Sequence, residues 1–262
     1  MKPEIHVLGL SIKTFGICFA AGFLAAGAIC ARRVQELGRG ADLGYGMVFA
    51  SFVGGLVGAR LYYLVEHWST VRHDLIGSTF SGSGLVWYGG LIGGAICVLL
   101  YIWRKGFFSL VAADVAVLPL AMGYAIGRIG CQVSGDGDYG KPSHLPWAMG
   151  YPHGTVPTPP GVRVQPTPIY ETVAMGLAAW ALWRLRDRFR PGILLALYLL
   201  LAGAERFLVE FLRRNDRVVA GLTAPQLESL GLIAIGAAWI AVVAARGSLR
   251  AEEPRAPRAA VA

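Results

Sequence analysis

Charged side chains are scarce in this sequence of 262 residues. They account for 15% of the chain, against about 25% in an ordinary soluble domain, and hydrophobic residues account for 55%. The apolar runs are long and show no regular alternation, which argues against the strands of a membrane β-barrel. The composition therefore argues against an ordinary soluble globular domain and predicts an all-α integral membrane protein.

Cysteine is also rare, with four residues and no CxxC pair. This spacing indicates neither a disulfide framework nor a metal site. We interpret the cysteines as small buried hydrophobic residues. The net charge of +8 lies mainly in short loops between apolar runs, a distribution typical of topology control. It therefore argues against nucleic-acid binding, which needs a continuous basic face.

Seven apolar segments are long enough to cross the hydrocarbon layer, which takes about 20 residues. Small residues allow close helix packing in lipid, and Gly54 and Gly58 form a GxxxG pair of that kind. Residues 1–246 are therefore predicted to form a seven-span membrane domain, and residues 247–262 a disordered cytoplasmic tail. The predicted spans cover residues 12–31, 44–65, 85–103, 111–130, 168–186, 192–212 and 224–245.

The loop charges predict the orientation of these spans. Arginine and lysine are more numerous on the side that holds Arg32, Arg33, Arg104 and Lys105, so this side is predicted to be cytoplasmic. The N-terminus is then periplasmic and the C-terminus cytoplasmic. The longest connection, residues 131–167, is rich in Gly and Pro and faces outward as a periplasmic head loop. We expect the functional site at the outer leaflet, beneath this loop.

Two arginines lie inside predicted spans, Arg128 and Arg206. An ionisable group at membrane depth costs several kcal/mol on insertion scales, on the order of 3 kcal/mol for arginine. The usual compensation is a polar cavity with an anionic partner, and a basic pocket in a membrane protein suggests a phosphate-bearing lipid head group. Two such arginines in separate spans favour one shared anion site.

The neighbours of the two arginines allow more than one interpretation. Glu210 and Arg213 lie on the same helical face as Arg206, either as an ion pair that pins helices or as the lining of a lipid-phosphate cavity. Gly127 and Gly130 flank Arg128 and leave room for a ligand. The alternative for Arg128 is an interfacial side chain that reaches outward to water.

Three further segments carry candidate residues. The turn SGDGDYG places Asp136 and Asp138 close together. The segment is either a plain turn or a weak calcium loop, or one of its two carboxylates acts as a base or orients an arginine. The segment PTPIYE opens the fifth span, where Tyr170 and Glu171 either face the same cavity or form an ordinary helix start. Tyr88 begins the third span, where an interfacial anchor is the plain alternative.

In this order and spacing the segments resemble the prolipoprotein diacylglyceryl transferase family of bacterial inner membranes, over nearly the whole chain. The residues that carry the resemblance are VGARLYY (57–63), WYGGLIGG (87–94), ADVAVLPLAMGYAIGRIGCQVSGDGDYG (113–140), PWAMGYP (146–152), QPTPIYE (165–171) and GAERFLVEFLRR (203–214).

The resemblance implies an activity, a fold and partners. The family transfers the diacylglyceryl group of phosphatidylglycerol to the lipobox cysteine thiol of a preprolipoprotein, whose signal peptide it therefore meets. The products are a thioether-linked lipid and glycerol phosphate. The family fold has seven spans, a periplasmic head and an outward N-terminus, and no cofactor or metal is implied.

The resemblance also implies roles for individual residues. Arg128 and Arg206 align with the two arginines that bind and polarise the lipid phosphate, and Tyr88, Asp136 and Glu171 are candidates for the base that takes the thiol proton. The candidate substrate-binding residues are Arg60, Gly89, Gly90, Gly127, Gly130, Gly135, Tyr170, Glu171 and Glu210.

The sequence departs from the family pattern mainly at positions proposed to transfer protons. Tyr88 stands where the family often has histidine, and Phe15 where it has tyrosine; Cys131 and Ser134 replace asparagines, and Asp136 a glutamate. These departures keep open a divergent member that uses the same lipid pocket for another acceptor. A non-enzymatic lipid-binding or transport protein is the remaining alternative, although transporters often contain internal repeats and none is visible here.

Overall fold

A computed structural model describes residues 3–7, 10–72, 77 and 86–251. The first residue of the predicted third span and the predicted tail beyond residue 251 lie outside the described residues. The elements are β1 (Glu4–Val7), β2 (Leu10–Lys13), α1 (Thr14–Glu36), α2 (Ala41–Glu66), α3 (Trp68–Val71), α4 (Trp87–Arg104), α5 (Leu110–Ser134), α6 (Thr167–Leu185), α7 (Ile193–Glu210), β3 (Arg217–Val219), β4 (Leu222–Thr223) and α8 (Ala224–Ala245).

Each of the seven apolar segments coincides with a long helix. Five of these helices, α1, α2, α4, α5 and α8, are long and apolar enough to cross a membrane by length and composition. The other two, α6 and α7, have 19 and 18 residues, and both carry charged side chains within the helix. The chain is therefore a multi-pass helical membrane protein.

Two helices extend further than predicted, for local reasons. The helix α1 continues to residue 36 because Glu36 pairs with Arg32 at 3.6 Å and Arg33 at 3.0 Å, one turn apart. The helix α5 continues to Ser134 and ends where Gly135 takes a positive φ of 60°, a conformation that favours glycine. Apolar length alone placed both ends too early, at residues 31 and 130.

Two short antiparallel hairpins accompany the helices and were not predicted. The strands β1 and β2 pair from Glu4 with Lys13 to Val7 with Leu10, and β3 pairs with β4. Ala220 and Gly221 join β3 to β4 with positive φ angles of 49° and 76°. Two consecutive positive φ angles are the geometry of a tight hairpin turn, which the small residues allow.

The described chain divides into two compact units, residues 26–115 and residues 1–25 with 116–262. Within the first, α2 and α4 pack through the predicted glycine pair. A Cβ atom on Gly54 would lie 2.5 Å from the carbonyl oxygen of Gly93, and one on Gly93 would lie 2.8 Å from the Cα of Gly58. Only glycine fits at these distances, so the backbones approach as the GxxxG spacing predicts.

Within the second unit, the loop between α5 and α6 has its own small core. Tyr139, Tyr151 and Val164 are buried, and the two tyrosine rings stack with centroids 4.7 Å apart. The Tyr151 hydroxyl donates to Gln132 Oε1 at 2.8 Å, which fixes the loop to the end of α5. Burial raises the pKa of Tyr151 to about 12, so this hydroxyl stays protonated in ordinary buffers.

Candidate active site

Six charged side chains of the second unit meet in a single network, here called the arginine–carboxylate cluster. They come from the end of α5, the loop after it, the start of α6, the end of α7 and the residues that follow α7. The members are Arg128, Asp138, Glu171, Arg206, Glu210 and Arg213. Three guanidinium groups thus face three carboxylates, and their formal charges cancel.

Glu171 is the centre of the cluster, and its side chain has no exposed surface. Its Oε2 lies 2.9 Å from Arg128 Nε, and its Oε1 lies 3.1 Å from an Nη of Arg206 and 3.6 Å from an Nη of Arg213. Glu171 is the fifth residue of α6, and from this position its carboxylate reaches arginines of α5 and α7. One buried carboxylate therefore joins the two arginines that the sequence singled out.

Asp138 is the second bridge, in the loop that follows α5. It pairs with Arg128, and its Oδ1 accepts a hydrogen bond from Arg213 Nη2 at 2.6 Å. Burial acts to raise the pKa of Asp138, but the adjacent Arg213 and Arg128 outweigh it and hold this pKa below its usual value. Asp138 is therefore a fixed anion that orients two guanidinium groups.

Glu210 completes the network at the end of α7. Its Oε2 lies 3.4 Å from Arg206 and 3.7 Å from Arg213, and Oε1 accepts a hydrogen bond from the Asn215 amide at 2.5 Å. The spacing of four residues brings Arg206 and Glu210 to one face of α7. The sequence predicts Arg213 on the same helical face, but α7 ends at Glu210, and the turn that follows brings the Arg213 side chain back to this carboxylate.

Backbone contacts hold the loop against the helices at this point. The Thr167 hydroxyl donates to the carbonyl of Asp138 at 2.6 Å, and the amide of Lys141 donates to the carbonyl of Leu212 at 2.7 Å. The Lys141 ammonium donates to the carbonyl of Phe211 at 2.8 Å. The backbone is thereby held at Asp138 itself and three residues further on, which places the Asp138 carboxylate.

A cavity of about 380 Å³ opens beside the cluster, lined by Gly137, Asp138, Tyr139, Arg213, Arg214 and Asn215. Arg214 lies over the ring of Tyr139 at 4.3 Å and donates to the carbonyl of Gly137 at 3.0 Å. Its charge is not matched by a carboxylate of the cluster, so the cluster and Arg214 together carry one excess positive charge. The cavity is suited to a small anionic or polar group.

The structure separates the other residues that the sequence proposed near Arg128. Gly127 has open space where a side chain would stand, whereas a Cβ on Gly130 would meet Phe15 and Cys18 of α1 within 3.2 Å. Gly135 needs its positive φ and packs against Gly154. Asp136 accepts a hydrogen bond from the backbone of Asp138 at 3.3 Å and makes no ion pair with Arg128. Their roles in substrate binding or catalysis stay predictions.

Tyr170 is held by the head loop. Its hydroxyl donates to Gln165 Oε1 at 2.7 Å and accepts from the Trp147 indole at 2.6 Å. The remaining candidates lie in the other unit, where Gly89 packs against Gly58 and Tyr62, and Gly90 against Gly55 and Ala59. There, Arg60 is buried over the ring of Tyr63, and Tyr88 is 46% exposed in the first turn of α4. Their part in substrate binding or catalysis also stays a prediction.

One group of potential metal ligands lies at the edge of the cluster. The ligand atoms of Cys131, Asp136 and Asp138 lie within 4.8 Å of one another. However, the Asp138 carboxylate already binds two guanidinium groups, and Arg128 Nη1 lies 3.8 Å from the Cys131 sulfur. A cation at this point would face Arg128 directly, so the donor set does not fit a metal ion.

Sequence reasoning missed two features of the site. Asp138 was considered beside Asp136, and Asp136 was chosen as the candidate base, whereas the structure shows that Asp138 contacts the arginines. Glu205 was not considered, although it precedes Arg206 directly and could have been found as a third charged residue in the apolar run of α7. Both omissions have one cause, because contacts between separate helices leave no periodic signal in the chain.

The fold and the site together define a multi-pass helical membrane protein with a buried arginine–carboxylate cluster between its helices. A model of the family described as prolipoprotein diacylglyceryl transferase matches residues 3–242. The chain therefore belongs to the prolipoprotein diacylglyceryl transferase family, which confirms the resemblance that its motifs indicate.

Curated relatives agree with this membership over most of their length. The phosphatidylglycerol–prolipoprotein diacylglyceryl transferase of Clostridium tetani is 34% identical over 239 residues, covering 90% of this chain and 95% of its own. The protein of the same name from Fervidobacterium nodosum is 33% identical over 256 residues, covering 93% and 85%. That from Leptospira interrogans is 33% identical over 236 residues, covering 79% and 73%.

Proposed function

We propose that this chain transfers the diacylglyceryl group of phosphatidylglycerol to the lipobox cysteine thiol of preprolipoproteins. The reaction forms a thioether and releases glycerol phosphate. Family membership and the names of relatives that are 33–34% identical over most of the chain support the activity. The convergence of Arg128 and Arg206 from α5 and α7 on Glu171 is the observation that carries the assignment of the site.

The two arginines act on the phosphate of the lipid. The thiolate sulfur attacks the glyceryl carbon, the carbon–oxygen bond to phosphate breaks, and the departing phosphate gains a second negative charge. Guanidinium groups fixed before the reaction stabilise that charge without having to reorient. Glu171, Asp138 and Glu210 provide this fixation, and the remaining N–H groups of the arginines are available to phosphate oxygens.

The excess positive charge of Arg214 supports an anionic substrate. The cluster alone is formally neutral and offers a phosphodiester little net attraction, whereas Arg214 adds one positive charge at the lining of the adjacent cavity. In our proposal the glycerol phosphate part of the lipid reaches this cavity, while its acyl chains remain between the helices. Arg214 then attracts the head group, and the cluster performs the chemistry.

We further propose that all seven long helices span the bacterial inner membrane, with the N-terminus and the head loop in the periplasm. The head loop, predicted as residues 131–167, comprises residues 135–166 between the ends of α5 and α6. The lengths of α6 and α7, 19 and 18 residues, correspond to about 28 Å at 1.5 Å per residue, close to the hydrocarbon thickness. The charges of Glu171, Arg206 and Glu210 lower the hydropathy of these two helices but are compensated within the cluster. The richer loop charge on the opposite side supports the orientation.

Complementation tests the proposed function. The chain is expressed in a bacterium depleted of its own transferase, and a reporter preprolipoprotein is analysed by mass spectrometry for the added diacylglyceryl group. We expect modification by the intact chain, and a loss of at least about 100-fold with Arg128→Ala or Arg206→Ala, the size seen when one donor to a developing oxyanion is removed.

The controls distinguish the alternatives. Asp187→Asn changes a carboxylate that is 65% exposed beside Arg186, and it should leave modification unchanged. If the correctly inserted chain leaves the reporter unmodified, the divergent acceptor or the non-enzymatic role becomes the better explanation. If both arginine variants stay active, the assigned site is wrong even though the activity is right.

A further inference from the structure

Five buried side-chain atoms of this region have no hydrogen-bond partner among the described residues, and two of them belong to groups that make no ion pair either. These two are Oε1 of Glu205, on α7 directly before Arg206, and the hydroxyl of Tyr124, on α5 one turn before Arg128. The Tyr124 ring lies 4.9 Å from the Arg128 guanidinium. Buried polar groups are nearly always hydrogen-bonded, so two exceptions at one place point to groups that a substrate supplies.

The other carboxylates of this region are already occupied. Glu171 contacts three guanidinium groups, Asp138 contacts two, and Glu210 contacts two together with the Asn215 amide. Each of these carboxylates therefore already compensates the charge of at least two guanidinium groups. Among the carboxylates brought together in this part of the described chain, Glu205 is the one without an ion pair or hydrogen bond.

Glu205 nevertheless lies within the electrostatic field of the cluster. The charged groups that act on it are Arg128 of α5, Glu171 of α6, and Arg206 and Arg213. Two neutral groups face it as well, Tyr124 of α5 and Tyr198 of its own helix. The residue is half-buried, so the side chain remains accessible on one side. A free carboxylate next to the phosphate-binding arginines has the location that a general base requires.

We propose that Glu205 is the base that accepts the proton of the acceptor thiol, an inference that rests on the proposed function. The thiol S–H bond breaks and its proton moves to the Glu205 carboxylate. The sulfur forms a bond to the glyceryl carbon, and the carbon–oxygen bond to phosphate breaks with its electron pair on the oxygen. The proton then leaves Glu205 for water or for the departing phosphate.

The charges favour this assignment. Before the reaction, the negative charge of Glu205 lies beside the one excess positive charge of the cluster and Arg214. Transfer of the proton to Glu205 removes one negative charge while the phosphate gains one. The arginines therefore keep one unmatched positive charge for the product, which stabilises the transition state electrostatically.

The test uses Glu205→Gln, which keeps the shape of the side chain but cannot accept the proton. Initial rates are measured with the purified protein in nanodiscs that contain phosphatidylglycerol and with a lipobox peptide, between about pH 7 and pH 9.5. At pH 7 we expect kcat to fall by about 100-fold, the effect of losing a general base, with little change in KM for the lipid. Asp187→Asn is the matched control.

The pH profile separates a base from a structural role. A free cysteine thiol has a pKa of about 8.5. Below that value, each increase of one pH unit raises the thiolate fraction about tenfold. The deficit of Glu205→Gln should therefore shrink by about tenfold per unit and largely disappear above pH 9. A deficit that is constant with pH, or activity within a factor of about two of wild type, overturns the proposal.

If Glu205→Gln does not fold, a second variant is tested with two acceptor peptides. Glu205→Asp retains the carboxylate but moves it, and its rates are compared with a cysteine peptide and with a selenocysteine peptide. The selenol is ionised at neutral pH and needs no base, so a loss confined to the cysteine peptide supports the assignment. An equal loss with both peptides refutes it. Inactivity of the wild-type chain with either peptide would instead contradict the proposed function itself.

Discussion

Glu171→Gln tests the centre of the cluster most directly. The substitution keeps the shape of the side chain but removes a negative charge that is fully buried among three guanidinium groups, at 2.9 Å from Arg128, 3.1 Å from Arg206 and 3.6 Å from Arg213. The amide can offer its oxygen either to Arg128 or to Arg206 and Arg213, so its NH₂ group must face an arginine in both orientations.

The size of the effect follows from this burial. Removing one partner of a buried ion pair costs about 3–5 kcal/mol because it leaves an uncompensated charge. For a chain of this length each kcal/mol lowers Tm by about 2–4 °C, so we expect a fall of about 6–20 °C. Displacement of Arg128 or Arg206 by about 1 Å should also reduce transfer to the reporter by about 100-fold.

Thermal unfolding in detergent and the reporter assay measure the two effects. Asp187→Asn is again the control, because its ion pair with Arg186 is exposed and contributes about 0–1 kcal/mol. A Tm for Glu171→Gln within about 2 °C of wild type, together with full transfer, would refute the reasoning, since the three arginines would then not depend on this carboxylate.

Three further substitutions test other parts of the structure. Folding lowers the pKa of Asp138 below its unfolded-state value of about 3.9. The ionised group therefore stabilises the folded state above that pH, and this contribution is lost as the pH falls. The Tm difference between wild type and Asp138→Asn should be constant from about pH 5 to pH 8 and shrink below about pH 4. Gly93→Ala places a Cβ 2.8 Å from Gly58 and should lower the free energy of unfolding by about 1–3 kcal/mol. The control is Gly176→Ala, whose Cβ meets nothing within 4 Å and should leave the Tm unchanged. Equal Tm values for the two variants would contradict the packing of α2 and α4. With Glu205 as the base, Tyr88→Phe should retain most transfer to the reporter, because the residue is 46% exposed in the first turn of α4; a loss of about 100-fold would assign Tyr88 a catalytic role instead.

The helices could be predicted well from the sequence because their signal is local. A run of about 20 apolar residues identifies a span by itself, and only features at the ends moved the bounds, such as the pairing of Glu36 with Arg32 and Arg33. The GxxxG pair also predicted a real contact, since close backbone approach needs small residues at a fixed spacing. The hairpin at Ala220 and Gly221 was too short to show an alternating pattern.

The site could be predicted only in part because its contacts are not local. Arg128 and Arg206 are visible in the sequence as charges inside apolar runs, but nothing in either run indicates that both bind the carboxylate of Glu171. The choice of Asp138 over Asp136 depends on the turn at Gly135 and Gly137, which decides where each carboxylate points. Their assembly into one network is a property of the packed helices.

The position of Glu171 also has a consequence for how the chain is made. A ribosome delivers α5, then α6, then α7, so Glu171 enters the bilayer 35 residues before Arg206 is synthesised. During that interval Arg128 is the one cluster arginine already available to neutralise it. Arg128 would then neutralise Glu171 alone while the chain is being inserted. Loss of this guanidinium would therefore impair insertion of α6 as well as catalysis.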